Sequence, residues 1–178
     1  EERLLVAEIH GPVWTFPNRP DVTHLDKMLD LPARFQNSTH TYALAFHPQY
    51  PKTPYVYVLY NKVEPKPAEN VVARFTVSTR DGVPTIDIAT EQIILNWPSD
   101  GHNGGDVLFG PDGYLYISVG DRSSPGDPKN MGQRVDVIAG AMLRIDVQHA
   151  DQSKPYLVPP DNPFVGMENV RPEIWAYG

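Results

Sequence analysis

Residues 99–128 concentrate the side chains best suited to chemistry. Ser99-Asp100-Gly101-His102-Asn103-Gly104-Gly105-Asp106 leads into a hairpin, and Gly120-Asp121-Arg122-Ser123-Ser124-Pro125-Gly126-Asp127-Pro128 leads out of it. A histidine bracketed by glycines is unshielded by neighbouring side chains, and the bare backbone lets a planar ligand come close. An imidazole is the group best matched to taking a proton near neutral pH. Asp121 ends the strand that pairs with the one starting just after His102. That pairing brings the two residues together, so Asp121 can orient the imidazole and stabilise its protonated form. From spacing alone, a loop histidine hydrogen-bonded to backbone is the simpler description.

The elements that must hold this pair read as strands. Val107-Leu108-Phe109 and Tyr114-Leu115-Tyr116-Ile117-Ser118-Val119 flank Gly110-Pro111-Asp112-Gly113. Proline pre-sets the first central turn position, aspartate suits the second, and glycine supplies positive φ after it. Strand patterns also run from Leu4 to Ile9, Val13 to Phe16, Tyr42 to Phe46, Tyr55 to Tyr60, Val71 to Val77, Ile86 to Ile94 and Met142 to Val147. Only Val22 to Leu31 has helical apolar spacing, through Val22, Leu25, Met28 and Leu29, and Pro32 is expected to stop that helix.

Two stretches echo each other. Ala43-Leu44-Ala45-Phe46-His47-Pro48 precedes Tyr55-Val56-Tyr57-Val58, as Val107-Leu108-Phe109-Gly110-Pro111 precedes Tyr114-Leu115-Tyr116-Ile117. Phe46 and Phe109 lie 63 residues apart, and Tyr57 and Tyr116 lie 59 apart. A repeat of about 60 residues suits a four-stranded propeller blade, with two unrelated hairpins of a β-sandwich as the alternative. On that period, 178 residues make about three blades, whereas closed propellers need about four to eight. The expectation is therefore a truncated propeller, or a half-ring completed by another chain. Glu173-Ile174-Trp175-Ala176-Tyr177-Gly178 reads as the first strand of a further blade.

The bulk composition agrees with short strands and tight turns. Nineteen prolines leave little room for helix. Fifteen basic against 22 acidic residues give a net charge of −7 with no basic cluster, which argues against nucleic acid or an anionic membrane as partner. No apolar run approaches the roughly 20 residues of a membrane span. The absence of cysteine excludes disulfides, thiolate metal sites and cysteine nucleophiles. The chain starts in strand-like sequence, so a signal peptide is not expected within it. Asn37-Ser38-Thr39 matches the glycosylation sequon, a pattern common by chance.

Other reactive side chains have plainer explanations. His10, His24, His40, His47 and His149 show no metal-ligand spacing, and His47 reads as a structural hydrogen-bonding residue. Asp121, Asp127, Asp136 and Asp146 lack EF-hand spacing. Asp161-Asn162-Pro163 is a turn initiator, and Tyr55, Tyr57, Tyr60, Tyr114 and Tyr116 alternate as strand packing residues do. Ser123-Ser124 lacks a nucleophile context. There is no glycine-rich loop before a helix, so nucleotide cofactors are not expected.

The block His102-Asn103-Gly104-Gly105-Asp106-x-x-Phe109-Gly110-Pro111-Asp112-Gly113-Tyr114-Leu115-Tyr116-Ile117-x-x-Gly120-Asp121 resembles the signature of the glucose/sorbosone dehydrogenase family. Met142-Leu143-Arg144-Ile145-Asp146-Val147, Pro159-Pro160-Asp161-Asn162-Pro163-Phe164 and Arg171-Pro172-Glu173-Ile174-Trp175-Ala176-Tyr177-Gly178 extend the likeness, as do Leu44-Ala45-Phe46-His47-Pro48 and Leu5-Val6-Ala7-Glu8. The resemblance implies an all-β, six-bladed propeller that binds pyrroloquinoline quinone (PQQ) and calcium at one end of its axis. It implies oxidation of an aldose or related sugar or aldehyde, with His102 as general base, Asp121 supporting it, and hydride passing to the quinone. An external electron acceptor and a periplasmic or secreted location come with it.

The sequence departs from that family at several points. The glutamine or glutamate before the family's Phe-His-Pro strand is replaced near Thr39, the glycines after Gly-Asp are Arg122-Ser123-Ser124, and a Gly-Lys is Gly140-Ala141. The family's quinone-contacting Arg-Asn-Pro and calcium-binding carbonyls are expected beyond Gly178, so no quinone- or metal-binding residue is assigned, and the 178 residues alone are expected to be inactive. The competing readings are a non-catalytic propeller that binds a protein or ligand, and a lactonase-type hydrolase, for which the sequence shows no axial carboxylate cluster.

Overall fold

Successive side chains of a strand point to opposite faces, so the run Val56-Tyr57-Val58-Leu59-Tyr60 demands cover on both. The computed structural model, which describes residues 2–35, 39–64, 66–151 and 153–178, supplies that cover with three antiparallel sheets. The first contains β1 (Arg3–Ala7), β2 (Val13–Pro17) and β3 (Asp26–Leu29). The second contains β4 (Thr39–Phe46), β5 (Tyr55–Lys62), β6 (Glu69–Arg80) and β7 (Val83–Pro98). The third contains β8 (Val107–Phe109), β9 (Leu115–Ser118), β10 (Ala141–Ile145) and β11 (Ile174–Tyr177). Each is a meander paired in chain order. β1, β4 and β8 neighbour one another on one side of the fan, and β3 meets β7 on the other. These are three blades of a propeller.

The middle blade is buried twice. Val56, Val58, Tyr60, Val71, Ala73 and Phe75 pack towards the first blade, against Val13, Met28 and Leu29. Tyr57, Leu59 and Val72 pack towards the third, against Val107, Leu115, Ile117 and Leu143. Each such aliphatic side chain contributes about 1.5–3 kcal/mol on burial. The flanking blades cover only one face each. Leu4 and Val6 stay exposed on the first, and Leu108 and Met142 on the third. The echo between residues 43–58 and 107–117 is the repeat of the first two strands of successive blades.

Three sequence expectations need correction. No helix spans 22–31: Asp26–Leu29 is a strand paired with β2, and Val22 and Leu25 do not join the core. The apolar spacing is accidental, because Met28 and Leu29 are buried by the neighbouring blade rather than along one helical face. Pro32 sits in the first turn of a short helix, α1 (Leu31–Arg34), where its missing N–H is not needed, and Asp30 caps it by accepting from Ala33 N at 3.0 Å. Ile174–Tyr177 is the fourth strand of the third blade, paired with β10, rather than the first of another. Finally, β7 begins at Val83, earlier than Ile86, because Asp81 and Gly82 take φ of 53° and 79° in a two-residue hairpin turn. Asn37 and Ser38 of the sequon lie outside the described residues.

His47, just past β4, is buried, and its Nδ1 accepts from Gln49 N at 3.2 Å. Burial, and then the charge of Arg74, hold its pKa below the ordinary 6.5. The unfolded chain therefore takes up this proton first. Stability from this group is complete above the ordinary value and is lost as pH falls towards the lower folded one. The thermal midpoint is expected to drop between about pH 7 and pH 5, with a shallower drop in His47→Gln; equal slopes would remove His47 as the source.

Candidate active site

Glycine fixes the geometry of the His102 loop at two points. Gly105 has φ of 145°, and a Cβ there would lie 1.8 Å from the Ser118 carbonyl oxygen. A Cβ on Gly120 would lie 2.4 Å from the carbonyl oxygen of His102. These approaches let residues 101–106 continue alongside 118–123 beyond the regular ladder. Ser118 N donates to Asp106 O at 3.0 Å, Gly120 N to Gly104 O at 3.1 Å, Arg122 N to His102 O at 3.1 Å, and His102 N to Ser123 O at 3.0 Å.

The irregular ladder sets His102 Nδ1 3.0 Å from Asp121 Oδ1. The same oxygen accepts from Ser123 N at 2.9 Å, which holds the carboxylate in place. A carboxylate only accepts, so Nδ1 carries the proton and Nε2 presents its lone pair. The imidazole is half exposed, at 49%, against 25% for Asp121, so Nε2 is open to a ligand while its support is sheltered. This arrangement can take a proton at Nε2 and keep the resulting imidazolium next to a negative charge.

The loop is fastened to the middle blade as well as to its own. Asn70, wholly buried on β6, donates to Asn103 Oδ1 at 2.9 Å and to Pro98 O at 3.3 Å. The Tyr42 ring of β4 lies against Gly104. Next to it, the rings of His40 and His10 are 4.3 Å apart, and Asn61 Oδ1 binds His40 Nδ1 at 2.7 Å. Spacing does not single out Asn70 or Asn103; the one available signal is an asparagine at the head of the apolar strand Val71-Val72-Ala73. The segment after Asp121 carries three non-glycine residues at positive φ, Arg122, Asp127 and Asn130. Such backbone clusters at functional sites.

The remaining reactive residues do not join this pair into a metal centre. Asp136 pairs with Arg134 on the surface, and Asp146 with His149 at 2.7 Å. Asp127 Oδ2 accepts from Gly132 N at 2.9 Å. Among the described residues, no three or more His, Cys, Asp or Glu side chains converge as a metal site. No helix among them is long and apolar enough to cross a membrane.

The sequence profile of the glucose/sorbosone dehydrogenases matches residues 1–178. The chain belongs to that family. A solved structure from Thermus thermophilus, described as a putative oxidoreductase (glucose dehydrogenase), superposes with a TM-score of 0.69 at 27% identity, over 96% of this chain and 46% of that one. Hedgehog-interacting protein from Mus musculus is 34% identical over 144 residues, 76% of this chain and 20% of that protein. Aldose sugar dehydrogenase YliI from Escherichia coli K12 is 34% identical over 77 residues, 43% of this chain and 18% of that protein. The chain thus spans about a fifth of the curated relatives' length and under half of the solved structure.

Within this glucose/sorbosone dehydrogenase chain, the departures from the family pattern have local roles. Arg122 forms an ion pair with Asp100 at 3.3 Å, while Ser123 supplies both the amide that holds Asp121 and the carbonyl that holds His102. The Gly140-Ala141 step joins the end of β9, with Gly140 N on Gly120 O at 3.1 Å and Val119 N on Ala141 O at 2.9 Å. The serines that replace glycines here leave the His102–Asp121 contact intact.

Proposed function

We propose that this chain carries the proton-abstracting half of a PQQ- and calcium-dependent sugar dehydrogenase site, with His102 as general base towards an aldose C1 hydroxyl and Asp121 as its support. The observation that carries the reading is the 3.0 Å contact between His102 Nδ1 and Asp121 Oδ1, which leaves Nε2 free at a half-exposed loop. PQQ, when bound, supplies the hydride-accepting carbon; the protein's task is to place the base and exclude misaligned approaches. The glycine-lined loop suits a flat ring system. Among the described residues no three or more His, Cys, Asp or Glu side chains converge as a metal site, so no calcium ligand and no step through calcium is assigned to them. The nearest guanidinium in the loop, Arg122, is engaged by Asp100 and is not assigned to the quinone's carboxylates. The rest of the pocket falls to blades outside these 178 residues, whether from a longer chain or a second copy. A periplasmic or secreted setting and an external electron acceptor belong to the same reading.

The second reading is a non-catalytic binding propeller. It draws on Hedgehog-interacting protein, which aligns with 76% of this chain against 43% for the aldose sugar dehydrogenase. One experiment separates the two. The protein with a complete ring of blades is loaded with PQQ and calcium, and reduction of an artificial electron acceptor is followed over a panel of aldoses. Turnover with the complete ring, and none with residues 1–178 alone, is the expected pair of results. Cofactor binding without turnover on any aldose would overturn the enzymatic reading in favour of the binding module.

A further inference from the structure

At the end of the blades away from His102, a polar cleft opens between the second and third blades. A cavity of about 200 Å³ is lined by His47, Gln49, Tyr55, Tyr57, Arg74 and Gln148 among others. A second cavity of about 320 Å³ shares Arg74 and Ala150 with it. Arg74 lies on β6, its guanidinium stacked on the Tyr55 ring at 4.1 Å and hydrogen-bonded to Gln92 Oε1. Among the described residues it forms no ion pair. A guanidinium has five donors in a planar fork, and one amide oxygen and a ring face leave much of that capacity unused.

The groups around it are donors too. Tyr57 is fully buried, and burial pushes its hydroxyl pKa up to about 12, so it stays protonated. His47 uses Nδ1 to accept from Gln49 N, which leaves its remaining proton on Nε2. The carboxylates nearby are already satisfied. Asp146 accepts from Gln148 N at 2.9 Å, His149 N at 3.2 Å and His149 Nδ1 at 2.7 Å. Asp151 accepts from Ser153 N at 2.7 Å, Ser153 Oγ at 2.6 Å and Lys154 N at 2.9 Å. A cation with no ion-pair partner among the described residues and two neutral donors face a cavity large enough for a few heavy atoms, while Asp146 and Asp151 keep their charge but are held by other donors.

We infer that this interblade cleft is a binding site for a small carboxylate, held by the Arg74 guanidinium with Tyr57 and His47 as flanking donors. The inference is independent of the dehydrogenase reading, since it concerns the opposite end of the blades. A guanidinium fork pairs with either a carboxylate or a phosphate; the cavity of about 200 Å³ favours the smaller, planar carboxylate. The ligand would bridge the second and third blades, and its binding would stabilise their contact.

The test is a titration of the chain with sodium acetate, with sodium chloride balancing the ionic strength and inorganic phosphate as a separate arm. A saturable rise in the thermal midpoint and a saturable shift of the Arg74 Nε–H resonance are expected with acetate. Arg74→Gln should weaken the apparent dissociation constant by about tenfold or more. Because Arg74 also ties β6 to β7, the second variant is Thr53→Glu, at a residue that lines the same cavity. It sets a carboxylate at the cleft wall without touching Arg74, and should abolish the acetate response. A wild-type protein that responds to acetate no more than to chloride overturns the site. A response to phosphate alone overturns the carboxylate assignment.

Discussion

Arg144→Met is expected to lower the unfolding free energy by about 2–4 kcal/mol, read as a lower denaturant midpoint at an unchanged slope. Arg144 is 4% exposed, although it carries a full charge in the middle of β10. Its guanidinium is sandwiched between the rings of Tyr114 at 4.4 Å and Trp175 at 4.5 Å. In the plane, it donates to Asp112 at 3.0 Å, to Asp161 at 2.8 and 3.2 Å, and to Asn162 at 3.1 Å. Asn162 in turn donates to the carbonyls of Arg144 and Pro172. One side chain therefore joins the β8–β9 turn, the 159–163 turn and the approach to β11. Methionine retains the apolar stem but strands Asn162 Oδ1 in a buried position, where an unpaired acceptor costs about 1–3 kcal/mol. Asp161 is well exposed and rehydrates, which keeps the loss below that of a fully buried pair. Asp161→Asn should accordingly cost about 1 kcal/mol or less. A loss for Arg144→Met no larger than for Asp161→Asn would mean that the stacking and the Asn162 bond contribute little.

On the proposed dehydrogenase reading, His102→Ala in the protein with a complete ring of blades is expected to reduce turnover by about 100- to 10,000-fold, the range associated with a positioned general base. The loop's own bonds to His102 are to its backbone, N to Ser123 O and O from Arg122 N, and alanine keeps both. The side chain is half exposed, so its loss removes little packing. Stability should stay within about 0.5 kcal/mol of wild type. Asp121→Asn tests the other half of the pair. An asparagine amide can present its N–H₂ to Nδ1 and favour the wrong tautomer, so turnover should fall while binding of the sugar changes little. Unchanged turnover in His102→Ala would remove it from the role of base.

The strands are legible because their cause is local. Alternation in Tyr114-Leu115-Tyr116-Ile117 and the Gly110-Pro111-Asp112-Gly113 turn act within a few residues. Asp81-Gly82 is an equally local signal, and it sets the start of β7. The stretch at 22–31 misleads because it depends on a partner: Met28 is apolar because the second blade lies over it, and a period of three or four arises there by chance. Tyr177 goes to the third blade rather than a further one for the same reason, since strand-like sequence does not name its neighbour. His102 and Asp121 are readable from their glycine surroundings. Asn70, Arg74 and Arg144 are not, because their partners lie 17 to 33 residues away along the chain.

The doubly covered middle blade has a kinetic consequence. Amide protons of β5 and β6 should exchange with solvent only through global unfolding, whereas β1 and β11, each at the rim of a singly covered sheet, should exchange through local opening. The His102 loop belongs to the third blade by sequence but is pinned to the slow-exchanging one by Asn70 and Tyr42. Its amides should therefore be protected beyond what an exposed loop at the edge of a half-covered blade would show. The precision of the His102–Asp121 pair is in this sense borrowed from the most durable layer of the molecule.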